Sequence, residues 1–430
     1  MKKHFIVDTS VILYDKTAIQ SFQGNIVCLP VTVLDELDRF KEKPGLLGES
    51  ARHVNRYLDN LRSMGKLNLG VYDEANDITI KILIPEPSEE AERLGLDASS
   101  GDNRIISAAL ALKSENEDCI VSVITKDINL RVKCNALGID SEDFYKDHLP
   151  EIVRSNIDTS VITIEKRELN KLFSDGSINL SLPLSDVHEN MFSILRTEDG
   201  SSALCVFRSG IWHVVRNQEI QTYGIKARNK EQQFALYALR KEDIPLVCMT
   251  GIAGSGKTFL ALMASLELLN KEKCKRIIIT RPIQTVGKDV GFLPGDLGEK
   301  MAPWLAPVMD NFRHAFNDVT YFETMMTKGK IEVAPMPYIR GRTFSDCIII
   351  VDEAQNATVH ELKTVITRTG NNSKIILLGD TDQIDTPYID KRSNGLSIVS
   401  EKLSGSKLTA SIHLSKGERS ELATLVSNSL

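Results

Sequence analysis

The sequence predicts an α/β protein of two parallel-sheet lobes joined by a small β-rich connector. Apolar strand-like runs alternate with helical patterns over residues 1–148 and again over residues 226–430. Residues 149–225 instead carry short β-type runs divided by turn pairs. The chain has 430 residues, more than a single hydrophobic core usually holds.

In the first lobe, residues 4–7 (HFIV) and 26–29 (IVCL) read as buried strands, the second followed by a helix from Pro30. Residues 67–69 and 80–84 are further strand-like runs, residues 103–112 a helix and residues 119–124 a buried strand. This alternation predicts a mostly parallel sheet. In the connector, residues 160–165, 178–182, 191–196, 203–208 and 211–215 read as strands. Asp175-Gly176, Asp199-Gly200 and Ser209-Gly210 read as turns, the last a two-residue hairpin. This small antiparallel module is either a nucleic-acid-binding barrel or a structural connector. In the second lobe, residues 246–250, 276–280, 347–351 and 374–378 read as strands and residues 257–269 as a helix.

Composition narrows the class. Hydrophobic residues make up 42% and charged residues 26%, ordinary for a globular protein. No apolar run approaches the roughly 18 residues of a membrane span, and the first residues enter a strand without a signal-peptide pattern, so a cytoplasmic protein is expected. The net charge of −6 argues against coating nucleic acid by bulk charge, and the acidity is concentrated in the first 150 residues. Seven cysteines without a C-x-x-C pair predict buried reduced thiols.

Gly251-Ile252-Ala253-Gly254-Ser255-Gly256-Lys257-Thr258 fits G-x-x-x-x-G-K-[ST], between an apolar strand and a helix. Its backbone N–H groups can cradle phosphates, Lys257 can reach the β- and γ-phosphates of ATP, and Thr258 can ligate Mg²⁺. Asp352 and Glu353 follow a buried strand. The first suits Mg²⁺; the second can orient and deprotonate the attacking water. Gln383 follows a third strand as a γ-phosphate sensor, and Gln232, near a helix start, is a candidate reader of adenine.

Four acids of the first lobe stand at strand ends or helix starts: Asp8, Glu36, Asp102 and Asp127. In a parallel sheet these points converge on one edge. Hard oxygen ligands of this kind suit Mg²⁺ or Mn²⁺, which can activate water against a phosphodiester. Each acid alone is more often a helix cap or a solvated charge; the case rests on the four together.

These segments resemble known families. Residues 5–12 (FIVDTSVI), 31–41 (VTVLDELDRFK), 101–106 (GDNRII) and 125–131 (TKDINLR) are similar to a PIN-domain ribonuclease. Residues 229–236 (NKEQQFAL), the P-loop, Thr280-Arg281-Pro282, and residues 290–300 (VGFLPGDLGEK), 351–355 (VDEAQ) and 379–383 (GDTDQ) resemble the PhoH-type ATPases. The order looks like a two-domain PIN–PhoH protein, with residues 149–225 covered only loosely.

The resemblance implies a PIN-like nuclease and a RecA-like P-loop NTPase, acting together as an ATP-dependent RNA helicase and Mg²⁺- or Mn²⁺-dependent endoribonuclease. It places the nuclease acids at Asp8, Glu36, Asp102 and Asp127, preferring Glu36 to Asp35. It places nucleotide contacts at Gln232, Gly256, Lys257, Thr258, Asp352, Glu353 and Gln383. The competing reading is an ATP-controlled switch that binds RNA or a partner without cutting.

A single P-loop lobe suggests that an arginine arrives in trans from a neighbour, in a closed homo-oligomer such as a hexameric ring. Arg368 is the candidate, with Arg392, Arg340 and Arg342 as rivals. Arg281, Lys288, Arg340 and Arg342 are candidates for RNA phosphate contacts.

Overall fold

Largely apolar runs build the centre of each sheet in the computed structural model, which describes residues 2–43, 46–84, 93–97, 100–115, 120–144, 160–180, 187–220, 223–282, 297–339, 341–386 and 389–417. The chain divides into two units, Met1–Lys146 and Asp147–Leu430.

The first unit runs β1 (His4–Val7), α1 (Thr9–Tyr14), β2 (Ile26–Pro30), α2 (Val31–Phe40), α3 (Leu46–Arg62), β3 (Val71–Asp73), β4 (Ile78–Leu83), α4 (Gly101–Glu115), β5 (Val121–Ile124), α5 (Ile128–Ala136) and β6 (Asp140–Glu142). The sheet order is β3-β4-β2-β1-β5-β6. Central β1 pairs in parallel with β2 and β5. Ile6, Val7, Val27, Leu29, Val123 and Ile124 are buried, as expected of strands covered on both faces. β3 is antiparallel to β4. The strand expected at residues 67–69 is a turn: Leu69 is exposed, Gly70 turns with φ 96°, and the strand starts at Val71.

The second unit starts with β7 (Ser160–Thr163), α6 (Lys166–Asp175), β8 (Ser177–Ile178), β9 (Phe192–Arg196), β10 (Ser202–Arg208) and β11 (Ile211–Val214). They form a sheet of order β7-β9-β10-β11-β8, antiparallel except where β7 meets β9. Helix α6 was not expected from the β-type runs. A Glu165/Glu168 capping box starts it, Leu169 and Leu172 bury one face, and Gly176 ends it with φ 76°. Asp175-Gly176, read as a turn between strands, is therefore a helix stop. Ser209 and Gly210 both take positive φ, as a type I′ hairpin between β10 and β11 requires.

Both faces of this sheet are covered. Leu169 and Leu172 of α6 pack with Leu195, Cys205 and Trp212 on one side. Phe192, Ile194 and Val206 join the core of the P-loop lobe on the other, with the Phe192 and Phe234 rings 5.0 Å apart. The arrangement is an open sheet fused to the NTPase core rather than a free-standing barrel.

The short pair β12 (Glu219–Ile220) and β13 (Ile225–Lys226) leads into α7 (Lys230–Arg240), β14 (Leu246–Gly251), α8 (Lys257–Asn270), β15 (Arg276–Thr280), α9 (Leu297–Phe316), α10 (Thr320–Thr327), β16 (Ile331–Val333), β17 (Cys347–Val351), α11 (Val359–Ile366), β18 (Lys374–Gly379), α12 (Gly395–Lys402) and β19 (Thr409–Leu414). The sheet is parallel throughout, ordered β16-β15-β17-β18-β14-β19. β18 thus separates β14, which leads into the P-loop, from β17, which leads into Asp352. Six cysteines of the described residues are buried and form no disulfide among them, as expected; Cys119 lies outside the described residues. Among the described residues no helix is long and apolar enough to cross a membrane.

Candidate functional site

The nucleotide site forms where β14, β15, β17 and β18 end together. Gly256 takes φ 89° at the N-cap of α8, a left-handed turn that costs glycine little and that aims successive N–H groups into the loop. Lys257 is buried, its Nζ donating to Gly251 O at 2.5 Å and Ile252 O at 2.9 Å. Thr258 Oγ1 donates to Asp352 Oδ1 at 3.1 Å. Glu353 adopts φ 54°, a left-handed conformation unfavourable for a residue with a Cβ, beside buried Asp352. A cleft of about 240 Å³ is lined by Gly254, Lys257, Thr258, Asp352, Glu353 and Gln383, together with Phe259 and Asn311.

Gln232 is buried and its amide is committed to backbone. Oε1 accepts from Arg228 N at 2.8 Å, and Nε2 donates to Ser255 O at 3.1 Å, so it braces the P-loop. Three participants were not assigned here from sequence. Asp380 Oδ2 accepts from Ala253 N at 2.9 Å and so ties β18 to the P-loop. Gln355 is fully buried between Glu353 and the turn after β18. Arg281, expected on RNA phosphate, pairs with Asp352 at 2.8 Å and lies 3.7 Å from Glu353. The order of strands, which brings these three together, has no local sequence signal.

The arginines separate by place. Arg342 makes a bidentate pair with Glu332 and stacks on Phe344. Arg368 is exposed and stands before β18 begins, so about 20 Å of strand lies between it and the P-loop edge. Arg392 is exposed beyond the turn after β18. Lys288 and Arg340 lie outside the described residues. A larger groove, about 1060 Å³, opens at the opposite sheet edge beside Lys374 and shares none of the P-loop residues.

In the first unit, Asp8 follows β1, and its buried carboxylate accepts hydrogen bonds from Ser10 and from Thr125 Oγ1, the latter at 2.7 Å. Burial raises its pKa above the ordinary aspartate value, against the pull of those hydroxyls. Glu36 is also raised, first by burial and then by the charges of Asp8 and Asp102; the Thr9 hydroxyl and Arg39 oppose this. Gly101 opens α4 directly under Glu36, where a Cβ would stand 2.5 Å from Glu36 Oε1. Asp102, in the first turn of α4, pairs with Lys133 at 2.9 Å. Burial, Asp102 and Asp8 together push the Cys134 thiol up to about 11.

Asp8, Glu36 and Asp102 thus share one electrostatic neighbourhood. Asp127 sits at the same edge as the N-cap of α5, accepting from Asn129 N at 2.7 Å, and reaches Asp8 only through Thr125. Among the described residues no three acids, histidines or cysteines are grouped tightly enough to hold a metal ion as they stand. In donor chemistry the acids fit a hard divalent cation, as do Thr258 and Asp352.

Comparison with known proteins agrees with this division. Residues 5–145 match the family described as PIN domain, and residues 224–428 match that described as PhoH-like protein. The chain is similar to Protein PhoH2 of Bacillus subtilis, 37% identical with 100% of both chains covered. It is similar to Protein PhoH2 of Thermobispora bispora, 33% identical over 99% of this chain and 96% of the relative. Protein PhoH2 of Mycolicibacterium smegmatis is 32% identical over the same shares. A PhoH domain is a P-loop NTPase, and PIN domains are typically nucleases that use divalent metals. The chain belongs to the two-domain PIN–PhoH family.

Proposed function

We propose that the chain is an ATP-dependent RNA helicase coupled to a metal-dependent PIN-type ribonuclease, unwinding and cleaving RNA. The supporting observation is one chain carrying both a P-loop bonded to Asp352 and Asp380 and a cluster of Asp8, Glu36 and Asp102, in which burial raises the pKa of Asp8 and of Glu36. At the P-loop, the backbone and Lys257 bind the phosphates. Thr258 and Asp352 would hold Mg²⁺, which would neutralise charge on the phosphates. Glu353 orients the attacking water and takes its proton, while Gln383 faces the cleft where the γ-phosphate lies.

In the PIN unit, Asp8, Glu36 and Asp102 would hold Mg²⁺ or Mn²⁺, which supplies a water nucleophile at neutral pH. Asp127 orders the start of α5 beside them. The subunits form a closed homo-oligomer, such as a hexameric ring in the cytoplasm, with Arg368 offered to the neighbour's nucleotide. Exposure of Arg368 at the sheet edge away from its own P-loop favours a role in trans.

The test is ATP turnover with and without single-stranded RNA, beside displacement of a labelled strand from an RNA duplex. Wild type is expected to hydrolyse faster with RNA and to separate strands; Lys257→Ala is expected to do neither. A second reading, a nucleotide-controlled RNA- or partner-binding switch with a non-cleaving PIN unit, is favoured by Lys133 occupying Asp102. RNA-stimulated turnover without strand separation or cleavage would select it.

A further inference from the structure

Gln355 lies two residues after the acid assigned to water activation, and its whole amide is consumed by functional neighbours. Nε2 donates to Glu353 Oε2 at 2.7 Å and to Gln383 O at 2.8 Å; Oε1 accepts from Asp380 N at 3.2 Å. Two acceptors at one end and one donor at the other fix the amide's orientation, because its nitrogen has two hydrogens and its oxygen has none. The side chain is fully buried, so no water can substitute for these partners without repacking.

Two further features point the same way. A Cβ on Gly379 would stand 2.4 Å from Gln355 Oε1, so the end of β18 is kept bare where the amide docks. The next residue, Asn356, extends the attachment: its Oδ1 accepts from Asp385 N at 2.8 Å and its carbonyl from Thr386 Oγ1 at 2.9 Å. Asp380 in turn holds Ala253 N of the P-loop. A single short segment after β17 thus connects the Glu353 carboxylate, the turn bearing Gln383, and the P-loop.

We propose that Gln355 is a positioning residue for ATP hydrolysis: its amide aims the Glu353 carboxylate and fixes that acid against the turn of residues 380–383. This rests on the reading of the cleft as an ATPase site. Gln355 acts through Glu353 and touches no phosphate. Phosphate sensing at Gln383 and water activation at Glu353 then move as one piece, because one buried amide bonds to both segments.

The experiment measures steady-state ATP hydrolysis by the full chain over a range of pH, binding of AMP-PNP with Mg²⁺, and thermal unfolding without nucleotide. Wild type, Gln355→Met, Gln355→Glu and Lys257→Ala are compared. Gln355→Met keeps volume and loses the amide; kcat is expected to fall by about 10²-fold, the scale on which a displaced reacting group costs rate, with AMP-PNP affinity within about threefold of wild type. Gln355→Glu sets a carboxylate against Glu353, and the acid limb of its kcat profile is expected to move to higher pH, because two facing carboxylates share a proton.

Wild-type kcat and an unmoved acid limb in both variants would overturn the proposal. So would loss of kcat and AMP-PNP binding in proportion to loss of folded protein, since that marks a purely structural residue. If wild type hydrolyses ATP, Lys257→Ala does not, and both Gln355 variants match wild type, only this proposal falls. If wild type itself neither binds AMP-PNP nor hydrolyses ATP, the nucleotide reading falls and the proposal with it.

Discussion

Single side chains carry the chemistry, and two of them make opposite demands on their surroundings. The Gln232 amide is held by Arg228 N and Ser255 O, so its loss loosens the P-loop under any nucleotide. Gln232→Ala is therefore expected to weaken ATP and GTP binding by the same factor, measured by titration of each. A loss confined to ATP would show that the amide turns to read adenine. Lys374 is a different case. Its Nζ caps the end of α7 through Ala238 O at 3.0 Å and Lys241 O at 2.7 Å, yet burial lowers its pKa to about 7.

Between that value and its ordinary one, the unfolded chain binds a proton that the folded unit does not. Stability from this residue therefore rises with pH from about 7 toward 10 and is lost as pH falls through 7. Denaturant titrations at several pH values are expected to show wild type gaining on Lys374→Met as pH rises; a constant difference would contradict this. Lys257 was readable as a candidate from its glycine motif, and Asp8, Asp127, Asp352 and Glu353 from the strands they follow closely, whereas Glu36 lies within α2 and Asp102 in the first turn of α4. Gln355 and Asp380 were not singled out, and Arg281 was expected on RNA phosphate rather than on Asp352: their partners come from different strands, and only the order β15-β17-β18-β14 brings them together.

At the scale of elements, the module of residues 160–214 is structurally part of the NTPase lobe. Phe192 of β9 stacks near Phe234 of α7 and meets Tyr237 edge-on at 6.0 Å. Phe192→Ala is expected to cost about 3–5 kcal/mol and to lower the unfolding temperature of the nucleotide-binding unit itself. Unchanged melting of that unit would mean the module is a separable appendage. The hairpin at Ser209-Gly210 was readable because its φ demands restrict the residues allowed. Helix α6 was hidden because Leu169 and Leu172 lie among short β-type runs, and its stop, Asp175-Gly176, also fits a hairpin turn. The signal that finds it is the Glu165/Glu168 capping box ahead of an amphipathic stretch.

At the scale of the whole molecule, two units with separate cores stand in one chain. Calorimetry is expected to show two transitions. AMP-PNP with Mg²⁺ should raise only the one belonging to Asp147–Leu430, by about 2.7 kcal/mol at a hundredfold excess over Kd. A single transition shifted as a whole would show that the units fold together. The α/β class of both lobes follows from alternation and from one glycine motif, but the number of folding units does not, since burial of a sheet's second face leaves no periodic mark.

The central claim is that the acids at the end of β1 and the start of α4 cut RNA. The most direct measurement is cleavage of end-labelled single-stranded RNA in Mg²⁺ and in Mn²⁺ by wild type and Asp102→Asn side by side. The account predicts cleavage by wild type in the presence of metal and none by the variant. No cleavage by either protein, or equal cleavage by both, would contradict it and leave an ATPase with a binding module.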